Sequence, residues 1–145
     1  MTERTKQLAE ELTRLHYENL PEINRLGSMV SNRGEDGVVL CLYSSECALL
    51  AGELGERTGL STGRIANILR KLETKGLVKR MQDELDRRCV HVSLTEQGRA
   101  YAQGLKNSAV QAHGELLERL SSTDATEFVR IVRRCIRSAR DVASR

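Results

Sequence analysis

A change of hydrophobic period at Gly76 constrains the fold of this chain more than any other feature of its sequence. In residues 61–76, STGRIANILRKLETKG, apolar side chains recur every three or four positions. The two segments that follow, LVKRM and CVHVSL, are strand-like, and in the second of them apolar and polar side chains alternate. Because the first pattern is typical of an amphipathic helix and the second of a half-buried strand, residues 61–94 are predicted to form a helix followed by a β-hairpin.

The predicted helix has a start signal, an end signal and two distinct faces. Ser61 suits the N-cap, because its hydroxyl can accept a hydrogen bond from a free amide of the first turn, and Gly76 suits the end. The apolar face comprises Ile65, Ile68, Leu69 and Leu72. The outer face carries small, planar or cationic side chains, which are Thr62, Gly63, Arg64, Asn67, Arg70 and Lys71.

The half of the chain before this helix is also predicted to be helical. An apolar stripe that runs from Leu8 to Val30 predicts an amphipathic helix, bent or broken at Pro21, whose ring removes a backbone donor. NRGEDG is predicted to be a turn, and a short apolar helix is predicted over 38–43. LLAGELGERTG predicts another short helix, which Gly59 closes.

Two further helices are predicted after the hairpin. Thr95 is a suitable N-cap for a long helix that continues to Leu120, and SSTDATE offers capping side chains for a last helix. One apolar stripe is predicted along that last helix, formed by Phe128, Ile131, Val132, Cys135, Ile136, Ala139 and Val142. The predicted fold class is therefore mainly α with a small β-hairpin.

Positive charge is concentrated in one part of the chain. Residues 61–80 contain six basic and one acidic side chain, whereas residues 1–60 contain six basic and ten acidic ones. The net charge of the whole chain is only +3. A local excess of this kind predicts one basic surface rather than a generally basic protein.

The order of elements predicts what the basic surface contacts. A short helix, a turn at Gly59, a longer helix and a hairpin follow one another as in a winged helix-turn-helix. In such a unit the N-terminal residues of the second helix face base edges in the major groove. Since arginine suits guanine and asparagine suits adenine, Arg64 and Asn67 are predicted to contact bases, beside Ser61, Thr62 and Gly63. Phosphate contacts are predicted for the cations Arg70, Lys71, Lys75, Lys79 and Arg80.

The tip of the hairpin carries a carboxylate and two guanidinium groups, at Asp86, Arg87 and Arg88. A guanidinium that enters a narrow minor groove gains from the negative potential there, provided that the flexible side chain is held extended. Asp86 is predicted to hold Arg88 in this way, and Arg87 is left to contact phosphate. The alternative is an ordinary solvated turn with a local ion pair.

Two segments, LAGELGERTGLSTGRIANILRKLETKGLVKR and DELDRRCVHVSLTEQG, resemble the MarR family of bacterial transcriptional regulators. The wing motif of that family is Asp, any residue and Arg, followed by Leu-Thr and Gly. Asp86 and Arg88 match the motif, and Leu94, Thr95 and Gly98 match its continuation. The resemblance extends over about residues 35–100 by motif and over the remainder by the order of helices alone.

Two positions depart from what the resemblance would lead one to expect. Leu50 stands where many relatives place a hydroxyl residue that caps the first helix of the motif, so an irregular helix start is expected there. Gly63 lies in the first turn of the second helix, where glycine is less favourable than alanine by up to about 1 kcal/mol. Either the backbone approaches DNA closely at this glycine, or the turn is loose.

The resemblance implies a homodimer that binds a pseudopalindromic operator in double-stranded DNA as a transcriptional repressor. Residues 1–33 and 100–145 would form the helical dimerisation region, and residues 34–99 the DNA-binding lobe. Members of the family respond to small aromatic molecules, to peroxide through cysteine, or to metal. The sequence leaves the signal open, and a small-molecule effector is one of the alternatives.

Other functions find less support in the residues. No phosphate loop, nucleophile elbow or acid–base pair occurs in the sequence, so neither an enzyme nor a cofactor is predicted. The histidines, His16, His91 and His113, fall on three different predicted elements, which argues against a metal site. A winged helix that binds an acidic protein instead of DNA is a further alternative. The apolar segments are too short to cross a membrane and the N-terminus lacks the pattern of a signal peptide, so a cytoplasmic protein is expected.

The four cysteines, Cys41, Cys47, Cys89 and Cys135, form no CxxC pair and are predicted to be ordinary thiols. Cys89 is the one redox candidate, because the strand pattern places it on the polar side of the hairpin next to Arg88. Its oxidation would disturb the wing.

Overall fold

The computed structural model describes residues 1–25 and 34–145, with the side chains of residues 24 and 25 excepted. The described elements are, in chain order, α1 (Glu3–Glu18), α2 (Leu20–Arg25), α3 (Gly34–Ser45), β1 (Leu49–Leu50), α4 (Ala51–Thr58), α5 (Thr62–Thr74), β2 (Val78–Gln82), β3 (Val90–Leu94), α6 (Glu96–Leu117) and α7 (Ser122–Ala143). The predicted class, mainly helical with a small antiparallel sheet, is confirmed.

Two compact units make up the chain. Met29–Leu105 form one, which we call the winged lobe, and Met1–Ser28 with Lys106–Arg145 form the other, which we call the helical unit. The division falls within α6, between Leu105 and Lys106.

The helix-turn-helix in the winged lobe forms where its local signals predict it. Gly59 has a φ of 75° and ends α4 with a hydrogen bond from its amide to the Gly55 carbonyl. Ser61 Oγ then accepts a hydrogen bond from the amide of Arg64 at 3.3 Å and caps α5. Gly76, with a φ of 74°, turns the chain from α5 into β2. All four predicted apolar positions of α5 are buried, so its opposite face is directed to solvent.

The hairpin is confirmed, but it belongs to a three-stranded sheet with the order β1-β3-β2. Val78 lies opposite Leu94 in the β2–β3 pair, and Leu49 lies opposite Val92 in the β1–β3 pair. A two-residue strand is too short to show a periodic pattern, which is why β1 was not predicted. Leu50 has extended backbone and no side-chain hydrogen bond at the start of α4, as the missing hydroxyl led us to expect.

Predicted boundaries are wrong in two places. The part of the predicted turn NRGEDG that the structure describes is helical, because α3 begins at Gly34 and continues to Ser45. Glu35 and Asp36 lie in its first turn, where carboxylates favour a helix through its dipole. The long helix α6 ends at Leu117 and not at Leu120. The end of the predicted N-terminal stripe, Leu26 and Val30, and residues 32 and 33 of the turn lie outside the described residues.

Pro21 does interrupt the N-terminal helix. The break falls at Asn19, between α1 and α2, and Pro21 sits in the first turn of α2. A proline is tolerated there because the amides of a first helical turn have no partner within the helix. The side chain of Asn19 is buried, and its Nδ2 donates to the Leu15 carbonyl at 2.9 Å.

The helical unit has an apolar core of its own, between α1, α7 and the C-terminal part of α6. Its buried members are Ala9, Leu12, Leu117, Ala125 and Val129. An ion pair between Glu11 and Arg133 joins α1 to α7 at the surface. None of the described helices is long and apolar enough to span a membrane.

The predicted apolar stripe of α7 proves to be two surfaces. Ile136 is buried and Val132 is half-buried within the unit. The remaining large apolar side chains of this region stay 37–71% exposed, and these are Leu116, Leu120, Phe128, Ile131 and Val142. We call these five residues the exposed apolar face of the helical unit.

Candidate nucleic-acid interface

The outer face of α5 presents every residue that the sequence singled out on this helix. Ser61 caps the helix at one end of the face, and the exposed side chains along it are Thr62, Arg64, Asn67, Arg70 and Lys71, together with Gly63. Burial of Ile65, Ile68 and Leu72 fixes this orientation, because the helix cannot rotate without exposing them. The predicted base-contacting and phosphate-contacting groups therefore share one solvent-facing surface.

The first turns of α5 hold the two groups predicted to contact bases. Arg64 is exposed one turn after the N-cap. Asn67 Oδ1 accepts a hydrogen bond from Arg70 Nη2. Bidentate recognition of adenine uses both the oxygen and the NH2 of an asparagine amide. Asn67 would therefore have to share or release its bond to Arg70 on binding.

Three of the predicted phosphate contacts are held in ion pairs within the winged lobe. Lys75 Nζ lies 2.7 Å from one Glu35 carboxylate oxygen, and Lys71 Nζ lies 3.8 Å from the other. Arg80 pairs with Glu73 in the same manner. The hydrogen bond from Lys75, followed by the charges of Lys75 and Lys71, lowers the pKa of Glu35. Because these pairs lie at the surface and are partly open to solvent, they are weak enough for phosphate to replace the carboxylates.

Glu35 was not among the predicted site residues. It lies in the first turn of α3, beside Asp36, whose Oδ1 accepts a hydrogen bond from the Tyr101 hydroxyl at 2.9 Å. Two carboxylates at the start of α3 thus tie α5 and α6 to this helix. No local sequence pattern could have predicted this arrangement, because Glu35 and Lys71 lie 36 positions apart and meet only through tertiary packing.

The ion pair predicted at the hairpin tip is present. Asp86 Oδ1 accepts hydrogen bonds from the backbone amide of Arg88 at 3.0 Å and from its Nε at 3.2 Å. These bonds, the amide first, lower the pKa of Asp86. The side chain of Arg88 remains 92% exposed, and Arg87 is exposed beside it. The Asp86 carboxylate thus holds Nε of Arg88, while the rest of the guanidinium projects into solvent.

Asp83 organises the same tip, and sequence analysis missed it. Its Oδ1 accepts from the amides of Leu85 at 2.8 Å and Asp86 at 3.3 Å, and its Oδ2 lies 2.9 Å from His91 Nε2 on β3. The bond to His91, then the two amides, lowers the pKa of Asp83. An aspartate that bonds to the amide two residues later is a known turn signal, which could have identified this residue.

The environment of Cys89 is unlike that of a reactive thiol. Its Sγ lies 3.7 Å from Asp86 Oδ2. Partial burial and the nearby Asp86 carboxylate raise the pKa of Cys89, whereas reactive cysteines have a lowered pKa. Burial likewise raises the pKa of Cys41 to about 11. Cys47 and Cys135 are exposed free thiols.

The histidines are less scattered than the sequence suggested. His16 on α1 and His113 on α6 come together in the helical unit, with ring centroids 6.4 Å apart. His113 Nδ1 also lies 2.6 Å from the hydroxyl of Thr13. In the part of the chain that the structure describes, no group of three or more His, Cys, Asp or Glu side chains could hold a metal ion.

These features define the chain as a winged helix-turn-helix protein with a basic outer face on its second helix. The family model described as MarR family matches residues 35–90. The regulator SarZ of Staphylococcus aureus (strain bovine RF122 / ET3-1) is 32% identical over 108 residues, which are 74% of this chain and 72% of SarZ. The chain belongs to the MarR family of transcriptional regulators.

Solved structures show the same fold. FabT of Streptococcus pneumoniae in complex with DNA matches with a TM-score of 0.67 and 20% identity, covering 83% of this chain and 85% of FabT. A MepR–DNA complex from S. aureus matches with a TM-score of 0.63 and 17% identity, covering 83% of this chain and 86% of MepR. At these identities the likeness concerns the fold alone.

Proposed function

We propose that the protein is a homodimeric repressor that binds a pseudopalindromic operator in double-stranded DNA. The observation that carries the proposal is the exposed outer face of α5, with the Asp86–Arg88 pair on the wing of the same lobe. A helix whose exposed face is polar and basic fits the major groove, and the projecting guanidinium of Arg88 fits the minor groove beside it. The solved DNA complexes of FabT and MepR, which share the fold, support this assignment.

Each group on this surface has a chemical role in the proposal. Arg64 and Asn67 contact base edges, and Gly63 lets the start of α5 approach the DNA backbone beside Ser61 and Thr62. The cations that neutralise phosphates are Arg70, Lys71, Lys75, Lys79, Arg80 and Arg87. Lys71 and Lys75 exchange the Glu35 carboxylate for phosphate oxygens, so that binding replaces one anion with another.

The exposed apolar face of the helical unit supports a homodimer. Five large apolar side chains of this unit, from Leu116 to Val142, remain 37–71% exposed. Exposed apolar surface of this kind is typical of association sites. A two-fold axis through this face would bury the same residues from both copies. It would also present two α5 helices to half-sites separated by about 34–36 Å, one turn of DNA, or a multiple of it.

Release from the operator follows, in this proposal, from a signal that changes the spacing of the two α5 helices. A ligand achieves this only through a difference in its affinity for the two spacings. The raised pKa of Cys89 gives no support to cysteine oxidation as that signal. We propose a small-molecule effector as the signal.

Selection of duplexes from a randomised library tests the proposal directly. We expect a two-fold-related consensus, whose half-site spacing matches a whole number of DNA turns. Fluorescence anisotropy with the selected duplex then measures the variants Arg64→Ala and Asn67→Ala. Each should relax the preference at one base position by about 1–3 kcal/mol.

Arg88→Ala should weaken binding most for duplexes with A·T-rich flanks, where the minor groove is narrow. Arg137→Ala, which removes an exposed arginine of α7, is the matched control and should leave base preference unchanged. A wild-type protein that binds no duplex at low ionic strength would overturn the proposal. Wild-type affinity in all three interface variants would overturn the site assignment alone.

A further inference from the structure

The tip of the wing exposes an apolar side chain that the proposed function does not use. Leu85 is 98% exposed, more than any other large hydrophobic side chain that the structure describes. Single exposed leucines are common on protein surfaces, so exposure alone indicates nothing. Its position between Asp83 and Arg88, at the end of the hairpin, is the observation that indicates a function.

We propose that Leu85 is a DNA contact that packs against the sugar walls of the minor groove while Arg88 occupies the floor. This inference rests on the proposed function and adds an apolar component to it. It makes Leu85 a determinant of affinity that is independent of charge.

The backbone around Leu85 is held in place. Asp83 Oδ1 accepts the amides of Leu85 and Asp86, and Asp83 Oδ2 is anchored to His91 on β3. The amide of Cys89 donates to the Asp86 carbonyl at 3.0 Å and closes the turn. Because the turn is ordered before binding, less conformational entropy is lost when Leu85 makes a contact.

The neighbours of Leu85 indicate which kind of partner it fits. Every other residue from Asp83 to Arg88 is charged. The carboxylates of Asp83 and Asp86 are engaged within the turn, whereas Arg87 and Arg88 project. An apolar protein surface would leave these guanidinium groups without partners. The minor groove instead offers anionic rims for the arginines and carbon-rich deoxyribose walls for a leucine.

Apolar side chains are known to serve in minor-groove binding, where they contact sugars or wedge between base steps. Glu84, exposed beside Leu85, opposes the approach of phosphates. An apolar contact at Leu85 would add binding free energy at the tip without adding another charge.

The test uses the full-length protein and the fluorescein-labelled duplex obtained by selection, titrated at several salt concentrations. We expect Leu85→Gln, which keeps the size but removes the apolar character, to weaken binding about fivefold. Leu85→Met should stay within about twofold of wild type, because it keeps the apolar character. Since no counterion release is lost, the slope of log K against log salt should not change for either variant. Arg88→Ala, which removes one cation from each subunit of the proposed dimer, should make that slope shallower by about 1.8.

Met81→Gln is the matched control, because Met81 is an exposed apolar residue on β2 of the same hairpin. Equal affinity of Leu85→Gln and wild type would overturn the inference, as would an equal loss in Met81→Gln or a changed salt slope in Leu85→Gln. Because Leu85 is exposed, all variants should melt like wild type, and a lower melting temperature in Leu85→Gln would overturn its role as a contact. If the wild-type protein bound no duplex, the proposed function itself would fail.

Discussion

The winged lobe and the helical unit differ in how completely they bury their apolar residues. In the winged lobe, Leu54, Ile65, Leu72 and Val92 are at most 1% exposed and pack into one core beneath the basic face. The helical unit buries Leu117 and Val129 just as completely, yet leaves its exposed apolar face on the surface. Apart from Met81 and Leu85 on the hairpin and Tyr101 on α6, the large apolar residues described in the lobe are thus covered at least in part within one chain, whereas the helical unit leaves its exposed apolar face uncovered.

The largest effect that we expect concerns the closed core. Leu72→Ala removes a fully buried side chain between α5 and the sheet and should lower the free energy of unfolding by about 2–5 kcal/mol. Urea denaturation at fixed protein concentration measures this difference. Leu85→Ala makes the same chemical change at an exposed position of the same lobe and should have an effect near zero. Similar losses in both variants would show that the lobe core is not closed as described.

The next largest effect should separate the helical unit from the lobe. Ile131→Asp places a charge in the exposed apolar face and should convert the proposed dimer into a monomer, as sedimentation would show. The affinity for the selected duplex should then fall at least about tenfold, because one half-site is lost. Ile131→Leu, which keeps the apolar character, is the matched control and should remain dimeric. A wild-type protein that sediments as a monomer at micromolar concentration would contradict the dimer outright.

The elements that sequence analysis predicted are those whose signals are local. α5 has its cap, its apolar spacing and its terminal glycine within sixteen residues, and the hairpin has two strand-like segments, the second of which alternates. β1 has only two residues and forms because it pairs with β3. No local sequence pattern predicts that pairing. The start of α3 differs from the prediction because the glycines of NRGEDG are typical of a turn, whereas the carboxylates between them favour a helix.

The residues of the candidate site also fall into two groups, those that local motifs predict and those whose roles depend on tertiary packing. Arg64, Asn67 and the Asp86–Arg88 pair could be predicted, because their roles follow from residue type and position in a motif. The pairing of Glu35 with Lys71 and Lys75 depends on how α3 packs on α5. Periodicity predicted an apolar stripe on α7 but could not tell which part of it the same chain covers, since that depends on α1 and α6.

Acid should distinguish the two regions by the pH at which each is destabilised. Burial lowers the pKa of His16 in the helical unit, and burial together with the charge of His16 lowers that of His113. The unfolded chain therefore binds more protons than the folded one below about pH 6.5, so stability falls as the pH drops through that value. The lowered pKa values of Glu35 and Asp83 in the lobe have the opposite origin, since the folded state favours their charged forms. Their contribution is lost only as the pH falls below about 4.5.

Thermal melting between pH 7.5 and pH 5 measures this dependence. We expect the melting temperature of the wild-type protein to fall by a few degrees over this range. The double variant His16→Gln, His113→Gln should show a flatter profile. An unchanged slope in the double variant would show that these histidines are not the source.

The smallest effect concerns two glycines in equivalent places, the second residues of α4 and α5. A Cβ at Gly52 or at Gly63 would meet no other atom within 4 Å among the described residues. Because alanine is the better helix former, Gly52→Ala and Gly63→Ala should each stabilise the free protein, by about 0.5–1 kcal/mol. Only Gly63 lies at the end of α5 that is proposed to approach the DNA backbone. Gly63→Ala should therefore weaken binding to the selected duplex while Gly52→Ala leaves it nearly unchanged, as paired melting and anisotropy measurements would show. If Gly63→Ala stabilised the protein and bound DNA as tightly as wild type, the glycine would reflect a loose first turn, and the close approach of α5 to DNA would have to be abandoned.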